Sequence, residues 1–156
     1  MPYRERFLRE AIRLSIEKQT EGGGPFGAVV ARGSEIVGRG WNRVVPENDP
    51  TAHAEIMAIR DACRNLGTFS LEGCEIYSSC EPCPMCLSAI YWAHLDDIHF
   101  AATRKDAAEA GFDDAAIYAE IPKAPAERAV PAYEHLREEA REAFRVWMDN
   151  PEKTRY

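Results

Sequence analysis

The chain has 156 residues, 46% of them hydrophobic and 29% charged, with a net charge of −7. That is the size of one domain able to bury a core without disulfide staples, and no apolar run approaches the ~20 residues that span a bilayer. The acidic balance disfavours nonspecific binding to polyanions, which draws its affinity from Lys and Arg, and the stretch from Arg104 to Arg155, with 9 basic and 12 acidic residues, hides no basic extension. Small neutral substrates fit this charge better than duplexes, so neither nucleic acid nor membrane is expected as a partner.

The first residues, "MPYRERFLRE", carry neither the long apolar stretch nor the small-residue cleavage site of a secretory signal, which predicts a cytoplasmic protein. In a reducing compartment the five cysteines are poor candidates for disulfides. From Tyr3 to Gln19, Phe7, Leu8, Ala11, Ile12 and Ile16 recur at helical spacing with Arg and Glu opposite, which predicts an amphipathic helix. "TEGGGP" ends it. "FGAVVAR" and "EIVGRGWN", joined across Gly33 and Ser34, read as an antiparallel hairpin.

After the loop "VVPENDPT", Ile56, Ile59, Cys63 and Leu66 mark a second helix that stops at Gly67, suited to the left-handed backbone of a helix end. "CEIYSS" reads as a strand, "PCPMCLSAIYWA" as a short helix with Pro84 in its first turn, and "DDIHFAA" as another strand. Strand, helix, strand implies a parallel right-handed crossover. "IPKAPAERAVP" reads as a stiff connector rather than a domain boundary. A last helix is expected from about Tyr133 to Asn150, with Leu136, Ala140, Phe144 and Trp147 on one stripe.

Chemistry concentrates in two places, "TAHAEI" and "SSCEPCPMC". Three cysteines within seven residues, Cys80, Cys83 and Cys86, point to metal or to reactive thiols. A two-cluster ferredoxin run would need a fourth cysteine three residues after Cys86, where Leu87, Ser88 and Ala89 follow. Two thiolates and an imidazole suit zinc. Cys83 and Cys86 fall on one face of a first helical turn, where unpaired N–H groups and the helix dipole favour thiolate. Cys80 precedes the turn and has no helical reason to converge, so it is left to pack or to line the site.

His53 and Glu55 both sit at the start of the second helix and lean beyond its N-terminus, so one can ligate while the other handles protons. Taken singly, a His or Glu at a helix start is more often a capping or surface residue. The conjunction of "HAE" with "PCPMC" matches the H-x-E…P-C-x-x-C signature of zinc deaminases. The expectation is one zinc per subunit on His53, Cys83 and Cys86, hydroxide generated in the fourth position, and Glu55 as proton shuttle.

On "GGPFGAVV", "NDPTAHAEIMAIR", "SCEPCPMC", "AIYWA", "DAAEAGFDDAAIY" and the terminal tyrosine, the chain resembles the small bacterial guanine deaminases of the cytidine-deaminase-like zinc superfamily. The resemblance implies a single domain over residues 1–156, a three-layer α/β/α sandwich around a mixed five-stranded sheet. It implies hydrolysis of guanine to xanthine and ammonia. It also implies that Asn42 fixes the ring, Phe26 stacks on it, the backbone of Ala54 adds a hydrogen bond and Asp114 lies near the leaving amine. Trp92 and Tyr156 close the pocket in this picture, in a homodimer that exchanges residues of about 133–156 between subunits. Ser88 stands where relatives commonly carry glycine. Other aminated heterocycles, namely guanosine, cytosine or tRNA adenosine, are the alternative substrates, and a zinc-stabilised interaction module is the non-enzymatic alternative.

Overall fold

The computed structural model describes residues 2–156, so Met1 lies outside the described part of the expected 1–156 domain. Helix α1 spans Glu5–Glu17 and tightens into a 3₁₀ turn at Lys18–Glu21. Strands β1 (Gly27–Arg32) and β2 (Glu35–Trp41) follow as an antiparallel hairpin. Inside the expected loop the chain makes one helical turn, α2 (Val44–Glu47). Helix α3 (Ala54–Leu66) ends at Gly67 with φ 66°, as its sequence requires. Strand β3 (Glu75–Cys80), helix α4 (Pro84–Trp92) and strand β4 (Asp97–Ala102) form the crossover, with β3 and β4 parallel.

The sheet has the order β2-β1-β3-β4. It contains four strands among the described residues, where five were expected. The physical reason lies just past β4. Thr103 caps a helix at once, its hydroxyl accepting from Asp106 N–H while the Asp106 carboxylate accepts from Thr103 N–H, so the chain enters α5 (Arg104–Glu109), and no later described residue pairs with the sheet. Reciprocal capping satisfies two helix N–H groups together.

Burial follows the alternation of β1. Ala28 and Val30 face α3 and α4 in one apolar layer with Ala54, Ala58, Leu71, Ile76 and Ile90. Val29 and Ala31 face α1 with Phe7, Leu14 and Tyr77. A central strand buried on both faces reads as a continuous apolar run, and the two cores make residues up to Asp114 one compact unit.

The second unit, Ala115–Tyr156, contains α6 (Ala115–Glu120), a 3₁₀ turn at Pro125–Glu127 and α7 (Arg137–Asp149). Helix α7 starts four residues later than expected because Leu136 takes a left-handed conformation, φ 55°, at its N-cap. Leu136, Phe144 and Trp147 remain exposed, and no residue of α7 is buried. Among the described residues no helix is long and apolar enough to cross a membrane.

One packing contact sets where α3 begins. A Cβ on Gly40 would sit 2.2 Å from the Ala54 carbonyl oxygen and 2.3 Å from the Ala58 nitrogen, and one on Gly38 2.5 Å from the Ala58 carbonyl oxygen. Glycine on β2 against alanine on α3 lets the helix backbone rest directly on the strand. Gly40→Ala should therefore cost about 3 kcal/mol of stability, the upper end for overpacking a full core. It should also lower zinc content by displacing the start of α3, measurable by urea unfolding and metal analysis of the purified variant.

Candidate metal centre

The loop entering α3 is tied down before it reaches the site. Asp49 Oδ1 accepts from the Thr51 amide at 2.8 Å and the Thr51 hydroxyl at 2.7 Å, and Arg43 N–H donates to the Ala52 carbonyl at 2.9 Å. His53 then takes the N-cap of α3 with extended backbone, φ −70° and ψ 157°. On the other side of the site, Cys83 takes the N-cap of α4 with φ −68° and ψ 169°, and Pro84 opens the helix. The His53 side chain makes no bond to α3, and the Cys83 sulfur accepts from Cys86 in the first turn of α4 while also facing His53.

His53 Nδ1 lies 3.5 Å from Cys83 Sγ and 3.5 Å from Cys86 Sγ, and the ligating atoms of all three residues fall within 4.8 Å of one another. Zinc with ordinary Zn–N and Zn–S bonds at a tetrahedral angle would set a nitrogen–sulfur separation of about 3.6 Å. The donor set and its spacing therefore fit zinc. Cys83 is held as thiolate, its pKa lowered to about 4 chiefly by the hydrogen bond from Cys86, with His53 assisting. Cys86, donor in that bond and buried, is pushed up, and His53 is raised by its bond to Cys83.

Cys80 is not part of the cluster. Its sulfur is 3.6 Å from the Thr103 carbonyl oxygen, and burial pushes the thiol up to about 11. Glu55, the second residue of α3, is 6% exposed, and burial raises its carboxyl. Its Oε1 accepts a hydrogen bond of 3.1 Å from the Ser78 hydroxyl on β3. Sequence reading missed Ser78. The available signal was its place in β3, on the same face as Ile76 and Cys80 by alternation.

Of the remaining candidates, Asn42, Phe26 and Asp114 lie outside helices and strands, and Ala54 opens α3. Asn42 follows β2, and its Oδ1 accepts from Gly24 N–H at 3.1 Å and Val44 N–H at 3.2 Å, which fixes the side-chain amide and leaves its nitrogen as the donor. A Cβ on Gly23 would lie 1.8 Å from the Asn42 carbonyl oxygen, so only glycine lets the loop approach so closely. The Phe26 ring meets Phe112 edge-on, centroids 5.0 Å apart, a contact not read from sequence. Ala54 is the first residue of α3, where an amide N–H has no acceptor within its helix. Asp114 is raised by burial, opposed by Arg104 and reinforced by the Cys83 charge, so its carboxyl lies within electrostatic reach of the sulfurs.

Trp92 lies at the far end of α4 from Cys83. It ends α4, about 13 Å along the axis from Cys83 at 1.5 Å per residue, and is 66% exposed. Tyr156 belongs to the second unit and is exposed. A second group of metal-capable side chains, Glu75, Asp97 and His99, lies on the opposite sheet face, where the Tyr77 hydroxyl already donates to Glu75 Oε2 at 2.6 Å.

Comparison with known proteins gives this geometry its context. The profile of the cytidine and deoxycytidylate deaminase zinc-binding region matches residues 1–102. The guanine deaminase of Bacillus subtilis is 49% identical over 153 residues, covering 97% of this chain and 98% of its own. An X-ray structure of guanine deaminase from that organism superposes with a TM-score of 0.95 at 48% identity, covering 99% of each chain. The tRNA-specific adenosine deaminase of Aquifex aeolicus is 41% identical but covers 65% of this chain and 68% of its own. With a zinc-type donor set at paired helix starts and a matching profile over its first 102 residues, the chain belongs to the zinc-dependent cytidine and deoxycytidylate deaminase family and is an aminohydrolase.

Proposed function

We propose that this enzyme hydrolyses guanine to xanthine and ammonia. The observation that carries the reading is the extent of similarity. A guanine deaminase matches 97% of the chain, whereas the tRNA-specific deaminase of A. aeolicus matches 65%. The net charge of −7 also disfavours an RNA surface, which makes a small purine the better substrate.

In this reading His53, Cys83 and Cys86 hold zinc, which when bound supplies the Lewis acidity that makes water nucleophilic near neutral pH. Glu55 takes the proton released as water adds to the ring carbon bearing the 2-amino group. It gives that proton to the ring nitrogen, then takes a second from the added hydroxyl and passes it to the amine, which leaves as ammonia while the carbonyl forms. Its raised carboxyl, buried at the head of α3, suits a group that must both accept and give a proton. Phe26 stacks on the base, Asn42 Nδ2 donates to a ring acceptor, and the Ala54 N–H adds a second donor. Asp114 accepts from the departing amine.

The assembly is a cytoplasmic homodimer in which the last helix and tail cross to the partner. Its support is the exposed apolar stripe of α7, with Phe144 at 67% and Met148 at 61%, in a unit without a buried core of its own. Exchange of a terminal element is a short route to a dimer. Trp92 and Tyr156 would then line the pocket together across subunits.

Ammonia release and ultraviolet detection of xanthine, run with guanine, guanosine, cytosine and adenosine, test the substrate. Guanine should be turned over at least a hundredfold faster than the others, and Glu55→Gln should keep its zinc while losing about 10²–10⁴ in turnover. Preference for cytosine or adenosine would overturn the guanine reading. Metal analysis separates the cysteines: Cys80→Ala should keep one zinc per chain, whereas Cys83→Ala should lose it. Removing Lys153 to Tyr156 should cut turnover at least tenfold with zinc intact, and unchanged turnover would remove the tail from the pocket.

A further inference from the structure

We infer that Ser78 is a positioning residue for catalysis, acting by fixing the carboxylate of Glu55; the inference rests on the proton-shuttle reading of that side chain. Ser78 lies mid-strand in β3, paired with Ala28 on one side and Phe100 on the other, so its backbone is committed to the ladder. Its side chain is 1% exposed. Along the same face its neighbours are Ile76 and Cys80, and Ile76 packs with Ala54, Ala58 and Ile90. An apolar residue would be the default at such a position, because a hydroxyl buried without a partner is costly. The partner here is Glu55 Oε1 at 3.1 Å.

The contact has a directional consequence. A glutamate on a first helical turn has three side-chain torsions to fix, and the Glu55 carboxyl meets the Ser78 hydroxyl from β3, its own backbone amide and the Cys86 thiol. The Ser78 hydroxyl must donate in this bond, since a carboxylate only accepts. That bond pins Oε1 to β3, with the carboxylate held between that strand and the Cys86 thiol near the head of α4. Side chains that deliver protons gain most of their effect from such fixed placement. Ser78 is not one of the three metal-capable side chains, so its effect runs through Glu55.

The test compares Ser78→Ala, Ser78→Cys and Ser78→Thr in steady-state guanine deamination, with zinc analysis and a crystal structure of S78A. Loss of a buried hydrogen bond to a charged acceptor should lower kcat about ten- to a hundredfold. KM should stay within about twofold and zinc at one per chain, and the Glu55 carboxylate in S78A should leave its position. Cysteine restores the volume without a strong donor, so S78C should stay as slow as S78A, whereas S78T, which keeps the hydroxyl, should recover most of kcat. Recovery in S78C, or loss of zinc in step with kcat, would assign Ser78 to packing and overturn the inference. An S78A enzyme with wild-type kcat would overturn it alone, while a wild-type protein inactive on all four substrates would overturn the function reading and this inference with it.

Discussion

Two helices begin at the same place, and the residues at their N-caps face each other across 3.5 Å. A cap position is ordinarily spent on its own helix, where a serine or aspartate side chain satisfies the exposed N–H groups. Here the two caps are a histidine and a cysteine with extended backbone, and their side chains face each other instead of serving only their own helices. The positive ends of both helix dipoles therefore point into one small volume, and that field favours the thiolates that a zinc site requires. Cys86 joins because it lies three residues further along α4, on the same face. From a single constraint, coincident helix starts, follow the donor set, its charge state and the location of the chemistry.

What brings the helix starts together is the sheet. Strand β3 delivers the chain to Cys83, and β2 with its glycines seats α3 so closely that the Ala54 carbonyl lies almost against Gly40. Glutamate is placed by the same arrangement. As the second residue of α3, Glu55 points past the helix end into a buried position beside the sulfurs, where the sheet supplies Ser78 to hold it. Loops then add the parts that would meet a substrate. Asn42 has its carbonyl oxygen tied to two backbone amides, so the amide orientation is set before any ligand arrives. Preorganisation of this kind reduces what binding must spend on ordering side chains.

Much of this was legible from residue order. Helix α1, the hairpin, α3 with its Gly67 stop and the β3-α4-β4 crossover follow from apolar periodicity and from glycine and proline at the expected ends. His53, Cys83 and Cys86 were legible because metal ligation demands particular residue types at helix starts, a requirement that shows in spacing alone. Cys80 illustrates the same logic by exclusion, since its sulfur turns to the Thr103 carbonyl. Less legible were the short helices α2, α5 and α6, whose four to six residues are too few for a period to emerge. The fifth strand was expected from resemblance, and the Thr103–Asp106 capping box turns the chain into a helix at that point.

By itself, then, the sequence determined the long elements and the residue types suited to hold a metal, because both depend on local pattern and on the donor properties of individual residues. Only the tertiary structure decided that Ser78 would meet Glu55 across 23 positions of chain, that Phe112 would stand against Phe26, and that Gly38 and Gly40 would admit α3. Contacts of that kind belong to the packing of one element on another. No period or motif records them, since each partner, read alone, is an ordinary serine, phenylalanine or glycine.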